Sequence, residues 1–69
     1  PISLGGIMDL TATEVVITTI TGNQFIGILI SEGTLTTCWE STDPNYCDGQ
    51  NLSIPSSRVR SINPLWELS

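Results

Sequence analysis

The chain has 69 residues, with seven acidic side chains, two arginines, no lysine and no histidine, for a net charge of −5. A chain of this length forms one domain with a small core, so a disulfide, a metal or oligomerisation is the usual source of extra stability. A structural zinc site is excluded, because two cysteines alone cannot supply its four ligands. The acidic balance also opposes functions that need a broad basic surface.

The start of the chain carries no targeting signal that we can identify. Residues 1–10, PISLGGIMDL, lack the basic start and the long apolar run of a secretion signal. No stretch is long and apolar enough to form a transmembrane helix. We therefore expect a cytoplasmic protein that makes no contact with a membrane.

A short helix is predicted near the start, in the stretch LTATEV at residues 10–15. Thr11 is a suitable helix cap, and Glu14 follows it at the capping-box spacing. Gly5 and Gly6 before it and the β-branched residues after it argue against a long helix. The expectation is at most a short N-terminal helix.

Two strands joined by a tight turn follow. Residues 14–21, EVVITTIT, are dense in β-branched side chains, which favour a strand over a helix. Gly22 and Asn23 are typical of a turn between antiparallel strands. Residues 24–31, QFIGILIS, form the second strand in this interpretation.

The second predicted strand is apolar on both faces, because side chains alternate across a sheet. One face carries Phe25, Gly27 and Leu29, and the other carries Ile26, Ile28 and Ile30. In so small a chain, a second apolar face requires a cover. Either a segment of the same chain or another subunit can supply it.

The rest of the chain alternates turns with three more predicted strands, at residues 34–42, 51–55 and 60–64. A polar loop over 43–50 joins the first two of these strands. A single 3₁₀ turn over 56–59 precedes the last strand. The chain is therefore predicted to be all-β, with five strands.

The two cysteines leave two interpretations open. Cys38 and Cys47 flank a segment whose Asp-Pro-Asn sequence favours a turn, so they could meet across a hairpin and form a disulfide. Two free thiols are the alternative, because a disulfide requires an oxidising compartment.

Catalysis finds little support in these residues. Without histidine or lysine, the usual base that activates a serine or cysteine nucleophile is absent. Asp43 and Asp48 fit turns better than an acid–base pair, and Cys38 fits a structural role. We expect a protein that is not an enzyme and needs no cofactor.

The predicted order is five short strands with a single turn before the fifth. This order, together with the stretch TGNQFIGILI at residues 21–30, resembles the Sm and Sm-like family of ring-forming RNA-binding proteins. In that family, alternating apolar residues precede a pattern of Gly, two residues, an aromatic or aliphatic residue, one residue, Gly, one residue and Leu or Ile. The matching residues here are Val15, Ile17, Gly22, Phe25, Gly27 and Leu29. The resemblance covers roughly residues 15–64.

The resemblance implies a small five-stranded, strongly bent antiparallel barrel of the SH3-like (Sm-like) kind. In the family, the first glycine permits the turn, and the second lets strand two bend so that the barrel closes. Strand four of one subunit pairs with strand five of the next to build a homo-oligomeric ring, which would satisfy the open strand edges.

The same resemblance implies an RNA site at the pore of the ring. The family's contact positions fall on two loops, with Arg58 meeting a phosphate or stacking on a base. The positions are Glu32, Gly33 and Thr34 in one loop and Ser56, Ser57 and Arg58 in the other.

This sequence departs from the family at several of those positions. The Asp and Asn of the family's first loop and the Arg-Gly before strand five are absent, and the bacterial Lys-His pair falls on Ser56 and Ser57. A leucine position of the family holds Thr19.

Alternative interpretations accompany the RNA site. Arg58 and Arg60 could be solvated or paired with acids, since the net charge opposes RNA. Trp39 and Tyr46 are interpreted as core or loop-packing residues rather than as base-stacking platforms. An SH3-like protein-interaction or structural subunit that binds no nucleic acid is the alternative function, and a secreted, disulfide-linked module is the third.

Overall fold

The structure is a computed structural model that describes residues 10–68. It contains five strands and two short 3₁₀ helices, η1 and η2. The strands are β1 (Glu14–Thr19), β2 (Gln24–Glu32), β3 (Thr36–Ser41), β4 (Asn51–Pro55) and β5 (Val59–Pro64); η1 is Ser56–Arg58 and η2 is Leu65–Leu68. The prediction of five strands with a 3₁₀ turn before the last is confirmed.

The strands form one antiparallel sheet in the order β4-β3-β2-β1-β5. β4 and β5 are therefore the two edges of this sheet. No ladder joins these edges within residues 10–68, so the sheet is open. The antiparallel five-stranded sheet is confirmed, whereas closure into a barrel is not.

Two irregularities in register bend and twist the sheet. Along β2, Leu29 pairs with Trp39 and Ser31 pairs with Cys38, so Ile30 is an extra residue. A second shift lies between β1 and β5, at Thr18 and Thr19. An extra residue of this kind bends its strand and increases the local twist. The irregularity in β2 therefore lies at Ile30, three residues after Gly27.

Gly27 is required by the close approach of β3. A β-carbon added at this position would lie 2.6 Å from Cδ1 of Trp39 and would also collide with the backbone oxygen of Glu40. The Trp39 side chain thus occupies the space that any larger residue at position 27 would need. The glycine makes room for the largest side chain of the core.

The core lies on one face of the three central strands. Its buried centre consists of Val15, Ile17, Leu29 and Trp39, of which Trp39 is 1% exposed. Six partly buried residues pack against this centre: Leu10, Phe25, Leu52, Ile54, Val59 and Ile62. The prediction that Trp39 is a core residue is confirmed.

The second face of β2 is only partly covered. Ile26 and Ile28 are half-buried, and Ile30 is 43% exposed. Near the C-terminus, η2 contacts β1 and β5, and its Trp66 is 51% exposed.

The predicted helix in LTATEV is wrong for the residues that the structure describes. Ala12 has a φ of 66°, which a right-handed helix does not permit, and its amide donates to the Leu29 carbonyl at 2.7 Å. β1 then begins at Glu14, whose carboxylate accepts a hydrogen bond from the Thr42 hydroxyl at 2.8 Å. The backbone of this segment therefore bonds to β2 instead of forming the helix that a Thr11 cap would begin. Gly5 and Gly6 lie outside the described residues.

Among residues 10–68, no helix has the length and apolar character needed to cross a membrane.

Candidate functional site

The short helix η1 is fastened to the turn between β2 and β3. The Ser56 amide donates to the Leu35 carbonyl at 2.9 Å, and the Ser56 hydroxyl donates to the Gly33 carbonyl at 2.7 Å. The same hydroxyl lies 2.9 Å from the hydroxyl of Thr37, which is fully buried in β3. Three hydrogen bonds thus hold two segments that are distant in sequence against each other.

The other end of η1 is fastened to the end of β1. There the Ile20 amide donates to the Arg58 carbonyl at 2.9 Å. Pro55 fixes the entry into η1, with a φ of −59° and a ψ of 134°. Because both ends are held, η1 connects the β2–β3 turn with the β1–β2 turn.

The six predicted RNA-contacting residues divide into two groups. The structure brings Gly33 and Ser56 into direct hydrogen-bonded contact, with Glu32, Thr34 and Ser57 exposed nearby in the same two segments. The Ser56 hydroxyl is already engaged by protein groups.

Arg58, the sixth predicted contact, is the last residue of η1 and lines a cleft. This exposed arginine is the only basic residue that lines it. The cleft has a volume of about 120 Å³ and lies between the β1–β2 turn, β4 and η1. Its lining residues are Thr19, Ile20, Thr21, Asn23, Phe25, Ile54 and Arg58.

The polar side of this cleft was missed by sequence reasoning. Thr21 and Asn23 were interpreted as a strand end and a turn, and no local pattern marks them as site residues. The Thr21 hydroxyl lies 3.0 Å from the Thr19 hydroxyl and accepts a hydrogen bond from Nδ2 of Asn23 at 3.3 Å. The Thr19 hydroxyl also accepts from the backbone amide of Asn23 at 3.1 Å. The cleft exists because η1 and β4 fold against this turn.

Phe25, which lines the cleft, contacts two further aromatic rings. The Phe25 ring lies 5.2 Å from that of Trp39 and 5.7 Å from that of Tyr46, between ring centroids. Trp39 is buried, and its Nε1 has no hydrogen-bond partner within the described chain. Tyr46 is 48% exposed, so of these three rings it is the one that solvent reaches most freely.

The structure gives the local state of the two cysteines and of the loop residue Asp43. Cys38 and Cys47 are both free and half-buried. Asp43 caps its own turn, since its side chain accepts from the Asn45 amide at 2.9 Å. Within residues 10–68, no three side chains of metal-ligating type come together.

Comparisons with protein-family models, with curated proteins and with solved structures found no match for this chain.

Proposed function

We propose that this chain is a non-catalytic subunit of a homo-oligomeric, Sm-like ring, in which β4 of one copy pairs with β5 of the next. The observation that carries the proposal is the open sheet, whose two edges are these two strands. Unpaired edge strands present backbone donors and acceptors to a neighbouring chain. Head-to-tail pairing of two different edges generates a ring when the rotation between subunits closes.

The arrangement of the central strands supports the same proposal. The apolar residues of the family pattern occupy the core, with Val15, Ile17 and Leu29 almost fully buried. Gly22 has a φ of 89° in the turn between β1 and β2, where glycine is strongly favoured. The order of strands and the 3₁₀ turn before β5 are those on which the family resemblance rests.

We further propose that the ring binds single-stranded nucleic acid at the joined loops. The hydrogen bond between Ser56 and Gly33 holds the two predicted contact segments together. A ring repeats Arg58 once per subunit, and this repetition concentrates positive charge that a single acidic chain lacks. Arginine side chains also stack on unpaired bases.

A second candidate, a structural or protein-interaction subunit without nucleic acid, is favoured by the charge. The chain carries seven acids against two arginines. Each added subunit increases the negative charge of the whole assembly, which repels phosphates.

The assembly is tested by measuring the native mass by light scattering across a dilution series. A ring gives a constant mass that is a fixed multiple of the 7.4 kDa chain. A 7.4 kDa species at every concentration contradicts the ring and removes its pore.

Nucleic-acid binding is tested by the fluorescence anisotropy of a labelled oligouridylate at low salt. We expect binding that weakens with added salt and is lost in Arg58→Ala. Arg60→Ala is the matched control, because it removes the same charge from a neighbouring exposed position. An oligomer without detectable binding supports the second candidate, and equal losses in both variants contradict a specific role of Arg58.

A further inference from the structure

The cleft beside Arg58 has a charge that is unusual for this chain. Among the residues of 10–68 that line it, Arg58 is the only charged one, in a chain whose net charge is −5. The acids that the structure describes, Glu14, Glu32, Glu40, Asp43, Asp48 and Glu67, are all outside the lining. The cleft therefore favours a ligand with a negatively charged group at its Arg58 side.

The backbone of the cleft offers few free donors to such a group. The amides of Thr19, Ile20 and Gly22 donate to carbonyls at 2.8, 2.9 and 3.0 Å. The Asn23 amide donates to the Thr19 hydroxyl at 3.1 Å. A phosphate is commonly held by a series of free backbone amides, and these four are already engaged. One guanidinium without such amides suits a single negative charge, and its planar fork matches a carboxylate.

The remaining wall of the cleft is apolar. Ile20 is 61% exposed, and the half-buried Phe25 and Ile54 form the wall beside it. The volume of about 120 Å³ is slightly smaller than the engineered apolar cavity of about 150 Å³ that accepts benzene. One small ring or one branched aliphatic group therefore fits.

The walls are held in place before any ligand arrives. The Thr19, Thr21 and Asn23 side chains bond to one another or to the turn backbone, and the Ile20 amide ties this turn to Arg58. Because the cleft is already formed, little of the binding free energy is lost to the ordering of loops when a ligand binds.

We propose that this cleft binds a small monocarboxylate that carries one apolar ring or branched aliphatic group. The carboxylate lies against the guanidinium of Arg58, and the apolar group lies against Phe25 and Ile54. This proposal does not require the ring, since every residue that it uses belongs to one chain, although it shares Arg58 with the proposed nucleic-acid site.

Benzoate is the first probe. Its binding is monitored by two-dimensional ¹H–¹⁵N correlation spectra of the full chain. We expect saturable shifts confined to the amides around the cleft, with a dissociation constant of about 1 mM for so small a ligand. Arg58→Gln should raise that constant by about tenfold or more, because the ion-pair partner is lost. Arg60→Gln removes the same charge outside the cleft and should leave the dissociation constant of benzoate unchanged.

Three further ligands separate the contributions of charge and ring. Benzyl alcohol keeps the ring without the charge and acetate keeps the carboxylate without the ring, so both should bind at least about tenfold more weakly than benzoate. Uridine monophosphate should also bind more weakly than benzoate.

Three results would overturn the proposal. One is the absence of shifts at the cleft, and another is an equal loss of binding in the Arg58 and Arg60 variants. Tighter binding of uridine monophosphate would identify a nucleotide site instead. Because these spectra need no RNA, failure here leaves the ring and its RNA binding to be judged by their own measurements.

Discussion

The three central strands and the outer part of the molecule are stabilised in different ways. β1, β2 and β3 supply every member of the buried core centre, Val15, Ile17, Leu29 and Trp39. In contrast, β4 and η1 contain no buried residue, and Pro64 is the only buried residue of β5. Burial of apolar surface stabilises the centre, whereas backbone and hydroxyl hydrogen bonds hold η1 in place.

This difference separates stability from function within one small sheet. The proposed assembly edges and both proposed binding sites lie outside the buried core centre, although the cleft also uses Phe25 of β2. Substitutions in the buried core centre should therefore destabilise the fold strongly. Substitutions in the outer part should alter binding with small effects on stability.

The largest effect is expected for Trp39→Ala. Loss of this buried ring should lower the free energy of unfolding by about 3–5 kcal/mol, most of what a small domain has. Urea unfolding followed by circular dichroism at fixed protein concentration measures the change. Trp66→Ala is the matched control, and because Trp66 is 51% exposed it should cost clearly less. Equal losses of unfolding free energy in the two variants would contradict the division between the centre and the outer part. If Trp39→Ala does not fold, the milder variant Trp39→Phe is measured in its place.

Gly27→Ala should have the next largest effect. The added methyl group would press on the Trp39 ring and on the backbone of Glu40, and overpacking of this kind costs about 1–3 kcal/mol. At Gly33 the same change leaves the methyl group 3.3 Å from the Thr36 oxygen, so Gly33→Ala should be milder. Urea unfolding compares the two variants. A Gly27→Ala chain as stable as the parent would show that Trp39 can move away from β2.

Ser56→Ala tests the outer part directly. The variant loses the hydrogen bonds from this hydroxyl to Gly33 and Thr37, which should cost about 1 kcal/mol. Ser57→Ala alters an exposed neighbour in η1 and should change stability by less than about 0.5 kcal/mol. Hydrogen exchange of the Ile20 amide gives a second measure, since faster exchange in Ser56→Ala indicates that η1 has loosened. Identical behaviour of both variants would mean that the Ser56 hydrogen bonds do not hold η1.

The smallest effect is expected at the tip of the β2–β3 turn. Leu35 is 83% exposed, so Leu35→Ser should alter the free energy of unfolding by less than about 0.5 kcal/mol. A larger loss, measured by the same urea unfolding, would indicate that Leu35 is covered in solution, as in an assembled ring. Repeating the measurement at several protein concentrations distinguishes these cases, because assembly makes stability depend on concentration.

Local patterns were sufficient to predict most of the strands. The β-branched run after Thr13 predicted β1, as the structure confirms. The alternation around Gly27 placed Leu29 on the same face as Phe25, and the structure shows that this is the core face. The prediction failed where a local pattern competed with a distant partner. The Thr11 capping pattern favoured a helix, but the Ala12 amide bonds to Leu29 in β2.

The amino-acid sequence by itself determined the kind of secondary structure and its order. Side-chain branching, alternation and turn residues act between close neighbours, so their effects can be predicted without the fold. Only the tertiary structure decided that the sheet stays open, that Ser56 meets Gly33 and that Arg58 lies at a cleft. These features depend on how strands distant in sequence bend and pack against one another, and no local pattern contains that information.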